Sequence, residues 1–168
     1  MIPVAKPQMT KDDEKAVAAV VRSGWILQGP KVEEFETRLA RYIGTPHAVA
    51  TSSATTAMHL GLVAAGIGPG DEIIVPSFSF IATANCVVHA GATPVFADID
   101  PKTYNIDPVD VERKITKKTK GILAVHQVGL AADMKNLASI ARAHKLLLFE
   151  DAACGLGSKI DGVHVGSW

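Results

Sequence analysis

Net charge, paired cysteine and long apolar runs are all scarce in this 168-residue chain. Its 17 basic side chains are matched by 17 acidic ones, so no basic face is implied for nucleic acid or an anionic membrane. The two cysteines, Cys86 and Cys154, stand far apart and form no C-x-x-C pair. That spacing indicates neither a zinc knuckle nor a disulfide framework, and makes a reducing, cytoplasmic setting the expectation. No stretch approaches the length needed to cross a bilayer, and "MIPVAKPQMTKDDEK" lacks an apolar segment behind a basic start, so no membrane partner is expected. Metal-binding signatures are missing too: His59, His89, His126 and His144 show no ligand spacing, and there is neither a Walker sequence nor H-E-x-x-H. Of these histidines, His126 alone falls at the end of a strand candidate, where a sheet would hold a ligand.

What is present reads as one folding unit with a sizeable core, 48% hydrophobic and 20% charged. "TKDDEKAVAAVVRSG" has Thr10 as N-cap, Asp13 three residues on and Gly24 as the stop, which delimits a helix. "PKVEEFETRLARYIG" repeats that grammar: Pro30 opens it, Val32, Phe35, Leu39 and Ile43 line one face, and Gly44 closes it. From residue 47 strand candidates "HAVAT", "EIIVP", "PVFADI", "GILAVHQ" and "LLLFE" alternate with helix candidates "TTAMHLGLVAAG", "SFIATANCVVHAG", "PVDVERKI" and "MKNLASIARAHK". Such alternation predicts an α/β fold, a three-layer αβα sandwich around a mostly parallel sheet.

Three short segments carry candidate chemistry, and each has an ordinary alternative. "TSSATTAMHLG" passes from a strand into a helix, whose first N–H groups at Ser53, Ala54, Thr55 and Thr56 could cradle phosphate; the alternative is a plain Ser/Thr cap. "PSFSFIATAN" puts Phe78 and Phe80 at a strand end. Phe78 is expected in the core, whereas Phe80, at the start of the next helix, either packs or stacks on a flat ligand. "LLLFEDAACGLGS" ends a buried strand with Glu150 and Asp151, either as a cap or as a ligand's carboxylate partner. "GIGPGDE" leads into a strand and "GLGSKIDG" misplaces its third glycine, so neither is a dinucleotide loop. An anion cradle, an aromatic plate and a carboxylate at strand ends of one sheet together suit a planar, phosphorylated, protonatable ring. Pyridoxal 5'-phosphate has those properties.

In order along the chain, "SGWILQGPKVEEFE", "SSATTAMHLGL", "GDEIIVPSFSFIATAN", "GATPVFADID", "AVHQVGLAADM" and "EDAACGLGS" resemble the N-terminal part of the DegT/DnrJ/StrS-type aminotransferases. These are fold type I pyridoxal phosphate enzymes, most of which aminate nucleotide-linked keto sugars. The resemblance implies that Ala54, Thr55 and Thr56 hold the cofactor phosphate, that Phe80 stacks on the ring, and that Asp151 pairs with the pyridine nitrogen. Glu150 is then its less directed neighbour, and Cys154 stands where relatives often carry Gln or His near the phenolic oxygen. It further implies residues 1–30 as an N-terminal helix and active-site loop, with Trp25 to Pro30 near a subunit boundary and hence a homodimer. Residues 31–168 are then a cofactor-binding large domain, incomplete at its C-terminal end. The family's Schiff-base lysine would fall past Trp168, and neither Lys135 nor Lys159 has a matching context. The chain is thus expected to be an inactive fragment of an enzyme that transfers an amino group from glutamate to a nucleotide-linked keto sugar. A sugar dehydratase of the same family, or a non-catalytic regulatory protein, is the alternative.

Overall fold

A computed structural model describes residues 6–168. Two helices open it, α1 (Lys11–Ser23) and α2 (Pro30–Ile43). Thr10 and Asp13 form a reciprocal capping box on α1, and Gly24 ends it in the left-handed conformation, so this helix carries its own start and stop signals. Helix α3 (Ala54–Ala64) then leads into an alternating series: β1 (Glu72–Pro76), α4 (Ala82–His89), β2 (Thr93–Ala97), α5 (Pro108–Lys114), β3 (Thr119–Val125), α6 (Met134–His144) and β4 (Leu147–Asp151). The sheet is four-stranded and wholly parallel, in the order β2-β1-β3-β4. A last pair, β5 (Lys159–Ile160) and β6 (Val163–His164), forms an antiparallel hairpin.

Strand alternation divides the core into two layers. Ile73, Val75 and Leu123 point to one face and pack with Leu62, Cys86 and Val87 of α3 and α4. Ile74, Ile122 and Ala124 point to the other and pack with Val111, Met134, Leu137 and Ala141 of α5 and α6. Both faces of the central β1 and β3 are covered, as uninterrupted apolar strands require, whereas β4, expected to be buried, is an edge strand that is only partly covered, with Leu147 43% exposed. The αβα layering is therefore as expected.

Strand order reverses at β1: the chain leaves it for β2 on one side and returns to β3 on the other. The crevice beyond the carboxyl ends of β1 and β3 is the switch point where open α/β sheets bind ligands.

Three local expectations fail. "HAVAT" is not a strand: Val49 is 70% exposed, and the Ala50 N–H donates to Glu36 Oε1 of α2 at 2.7 Å instead of to a neighbouring strand. An alternating segment without a ladder partner stays irregular. Phe78 is not core but half exposed, its ring tilted against Tyr104 at 5.6 Å. The helix after β1 also begins later than Phe80, at Ala82, leaving the loop of residues 77–81 at the carboxyl end of β1.

Candidate functional site

A cleft of about 380 Å³ opens at this switch point, within the size range of small-molecule sites. Ala54, Thr55, Phe80, Gln127, Asp151 and Cys154 are among the residues that border it. An adjoining apolar hollow of about 390 Å³ shares Ala54 and Asp151 and runs between Gly61 of α3 and Phe149 of β4.

The N-terminus of α3 forms one wall. Ser53 caps the helix, accepting from the Thr56 N–H at 3.2 Å, so the ordinary reading of this segment holds for Ser53 itself. Thr56 is consumed by that cap, its hydroxyl lying 3.0 Å from Ser53 Oγ and 3.2 Å from Ser52 Oγ. The N–H groups of Ala54 and Thr55 have no intrahelical acceptor, because residues four earlier lie outside the helix. With the helix dipole they offer an anion two donors at the cleft. Thr56 therefore stands behind the cradle, while Ala54 and Thr55 border the cleft.

Asp151 ends β4 beside Val125 of β3, and only 8% of it is exposed. Its Oδ1 accepts from the Ala153 N–H at 3.1 Å. Its Oδ2 has a single long contact, 3.5 Å from the Thr83 hydroxyl, which is itself 2.7 Å from Ser79 Oγ. A carboxylate this enclosed needs a donor or a cation, yet no basic side chain pairs with it among the described residues. Asp151 lines a cleft that is also bordered by the anion cradle and by Phe80, a residue 75% exposed. That donor set fits a phosphorylated heteroaromatic ring with a protonated nitrogen.

Glu150, one residue earlier, points to the opposite face of β4. Its Oε2 accepts from His126 Nε2 at 3.0 Å and from the Gly166 N–H at 2.8 Å, and its Oε1 accepts from the Trp168 N–H at 2.8 Å. Far from undirected, this carboxylate is the anchor of the segment after β6. Burial pushes its carboxyl upward, but the His126 bond and the two backbone donors outweigh burial and hold it below the ordinary glutamate value. His126 Nδ1 accepts from the Ala132 N–H at 3.1 Å; a backbone N–H only donates, so the ring proton sits on Nε2. His126 touches the cleft wall, but both ring nitrogens are occupied by the protein.

Cys154 is exposed at the rim. The other thiol, Cys86, is buried on the inner face of α4; burial first, and the Asp151 carboxylate second, push it up to about 11, so it stays protonated. Gly129 is fixed by the same rim: at φ +88° a Cβ would meet the Cys154 carbonyl at 3.0 Å.

Thr83 and Gln127 lie within segments that carry the resemblance but had no role assigned to them, and Asn105 lies outside all six; only the fold brings the three to this end of the sheet. The β5–β6 hairpin, by contrast, had a readable signal in Asp161-Gly162, whose φ angles of 50° and 85° make the tight turn.

Comparison with known proteins bears on the fold and the family. Residues 7–168 match the family model described as the DegT/DnrJ/EryC1/StrS aminotransferase family. GDP-perosamine synthase of Caulobacter vibrioides is 46% identical over 167 residues, covering 99% of this chain and 45% of that protein. Among solved structures, an aminotransferase from Psychrobacter cryohalolentis superposes with a TM-score of 0.93 at 38% identity, over 98% of this chain and 42% of that one. NtdA from Bacillus subtilis, solved with its cofactor PMP bound, gives 0.85 at 41% identity, over 89% and 35%. The chain spans less than half the length of the curated relatives it matches. Its layered parallel sheet is that of the fold type I transferase large domain, and a match running through all six motifs from α1 to Trp168 leaves one assignment: the chain belongs to the DegT/DnrJ/EryC1/StrS aminotransferase family.

Proposed function

We propose that this chain is the cofactor-binding part of a pyridoxal 5'-phosphate-dependent aminotransferase that takes an amino group from glutamate and gives it to a nucleotide-linked keto sugar. The observation that carries the reading is the single cleft at the switch point, which joins an enclosed, under-bonded Asp151 to the open end of α3 and to an exposed Phe80 ring. Bound pyridoxal phosphate supplies an electron sink, provided its ring nitrogen is protonated. Asp151, oriented by the Ala153 N–H and braced by Thr83, holds that proton at the nitrogen. Phe80 fixes the plane of the ring. The N–H groups of Ala54 and Thr55 take the phosphate, and Thr56 locks the Ser53 cap that presents them. Cys154 sits at the rim, where a thiol gives the ring's oxygen a weaker contact than an amide or imidazole would.

Lys135 is engaged with Asp161, and Lys159 lies on the β5–β6 hairpin; neither borders the cleft. The lysine that anchors the cofactor is accordingly assigned to the further length that the relatives have. The exposed Trp25, Ile26 and Leu27 between α1 and α2 support a homodimer closed over this face.

The test is Asp151→Asn in the full-length enzyme. An amide keeps the shape but not the charge, so cofactor affinity should fall at least tenfold and turnover by two orders of magnitude or more, on the order of an essential proton-holding group. Near-normal affinity and turnover would remove Asp151 from this role.

A further inference from the structure

Phe80 is a mostly exposed ring on a loop, and a loop without support cannot hold a ligand's plane. The loop after β1 is gripped on its far side by residues from two other strand ends. Gln127 Nε2 donates to the Phe78 carbonyl at 2.6 Å, two residues before Phe80. The Gln127 backbone is in turn held by Asn105, whose Oδ1 accepts from the Gln127 N–H at 3.0 Å. Asn105 is 3% exposed, and its amide nitrogen donates to the carbonyls of Leu130 (3.1 Å) and Ala131 (3.2 Å). One buried side chain thereby satisfies three backbone groups of the loop after β3. Its neighbour Tyr104 lays its ring against that of Phe78.

The clamp holds the β3 loop in a shape it would not choose. Val128 sits at φ 52°, ψ 27° with 93% of its surface exposed, a left-handed conformation that is unfavourable for a β-branched residue and has no burial to offset it. Such strain persists only where surrounding bonds over-determine the backbone. Here those bonds are Asn105 to Gln127, Leu130 and Ala131, together with the Ser158 hydroxyl donating to the Gly129 carbonyl at 2.6 Å.

We infer that Asn105 and Gln127 are positioning residues for the ring plate: the loop after β2 fixes the loop after β3, which fixes the loop after β1 and so the attitude of Phe80. The inference rests on the reading that Phe80 faces pyridoxal phosphate in this cleft.

The experiment is a double-mutant cycle in the full-length protein between Gln127→Met, which keeps bulk but removes the donor, and Phe80→Ala. The readouts are the equilibrium dissociation constant for pyridoxal 5'-phosphate and the circular dichroism induced in the bound cofactor. Gln127 is half-buried, so its replacement leaves the core intact. Gln127→Met should weaken binding about fivefold, as expected for one hydrogen bond, and reduce the induced dichroism. In the Phe80→Ala background the same change should alter affinity less than twofold, and Asn105→Asp, which keeps the acceptor for Gln127 but loses both donors, should reproduce the dichroism change. Equal effects of Gln127→Met in both backgrounds, or unchanged affinity and dichroism in the single variant, would overturn the relay while Phe80→Ala still weakens binding. Unchanged affinity in Phe80→Ala would instead remove the plate itself, and the relay with it.

Discussion

Two adjacent carboxylates occupy the end of β4, and strand geometry separates their work. Asp151 faces the cleft with one oxygen nearly free, whereas Glu150 faces away and is saturated by His126, Gly166 and Trp168. Replacing Glu150 with Gln leaves one acceptor for donors that used two oxygens, and the new NH₂ meets a backbone N–H. Thermal or denaturant unfolding should show a loss of about 1–3 kcal/mol, the cost of an orphaned buried donor. The sign of its pH dependence follows from the depressed carboxyl. The Glu150 contribution is intact above the ordinary glutamate value and is lost as pH falls through the lower folded-state value. Glu150→Gln should accordingly flatten the acid limb of the stability curve; an unchanged limb would mean that other carboxylates set it. Asp151 could be singled out from the sequence because an acid after an apolar run is conspicuous. The saturation of Glu150 could not, since its donors come from residues 16 and 18 positions away and from a histidine just past the end of β3.

At the scale of the element, the helices and sheet strands with their own boundary signals were legible. Thr10, Asp13, Gly24, Pro30 and Gly44 mark α1 and α2 within the chain itself, and the apolar runs of β1, β3 and β4 need no knowledge of neighbours. Residues 47–51 have the same alternation but no ladder partner among the described residues, and alternation cannot report whether one exists. The turn after β3 was illegible for another reason: Val128 is a residue that local preference would not place at positive φ. Its strain makes a prediction. Val128→Gly should stabilise the fold by roughly 0.5–1 kcal/mol, the relief of the left-handed penalty less the entropy glycine adds to the unfolded chain. The opposite case lies at the start of β3. A Cβ on Gly121 would stand 3.0 Å from the Leu147 carbonyl and 3.1 Å from the Phe149 ring, so Gly121→Ala should destabilise by about 1–3 kcal/mol through overpacking between β3 and β4. Chemical denaturation of both variants checks the pair.

For the whole molecule, the sheet brings its chemistry to one end. Loops after β1 and β3 and the tip of β4 converge because parallel strands all finish on the same side; the reversal of strand order opens a crevice there, and the start of α3, which no strand precedes, borders it. Placing the aromatic and carboxylate motifs at carboxyl ends of strands was possible before any coordinates; the cradle follows no strand, and that all three share one cleft depends on strand order and helix packing, which alternation alone leaves open. Trp25, Ile26 and Leu27 are exposed and border an apolar hollow with Ala19 and Val20 of α1, an arrangement suited to burial against a second subunit. In the full-length protein Leu27→Asp should shift the sedimentation profile from dimer toward monomer; an unshifted profile would place the subunit boundary elsewhere. The central claim, that one ring spans the α3 cradle and Asp151, is tested most directly by a crystal structure of the full-length protein loaded with pyridoxal 5'-phosphate. The expected density puts the phosphate on the N–H groups of Ala54 and Thr55, the ring against Phe80 and its nitrogen at Asp151. A cofactor whose nitrogen meets another partner, or whose phosphate lies away from α3, would contradict it.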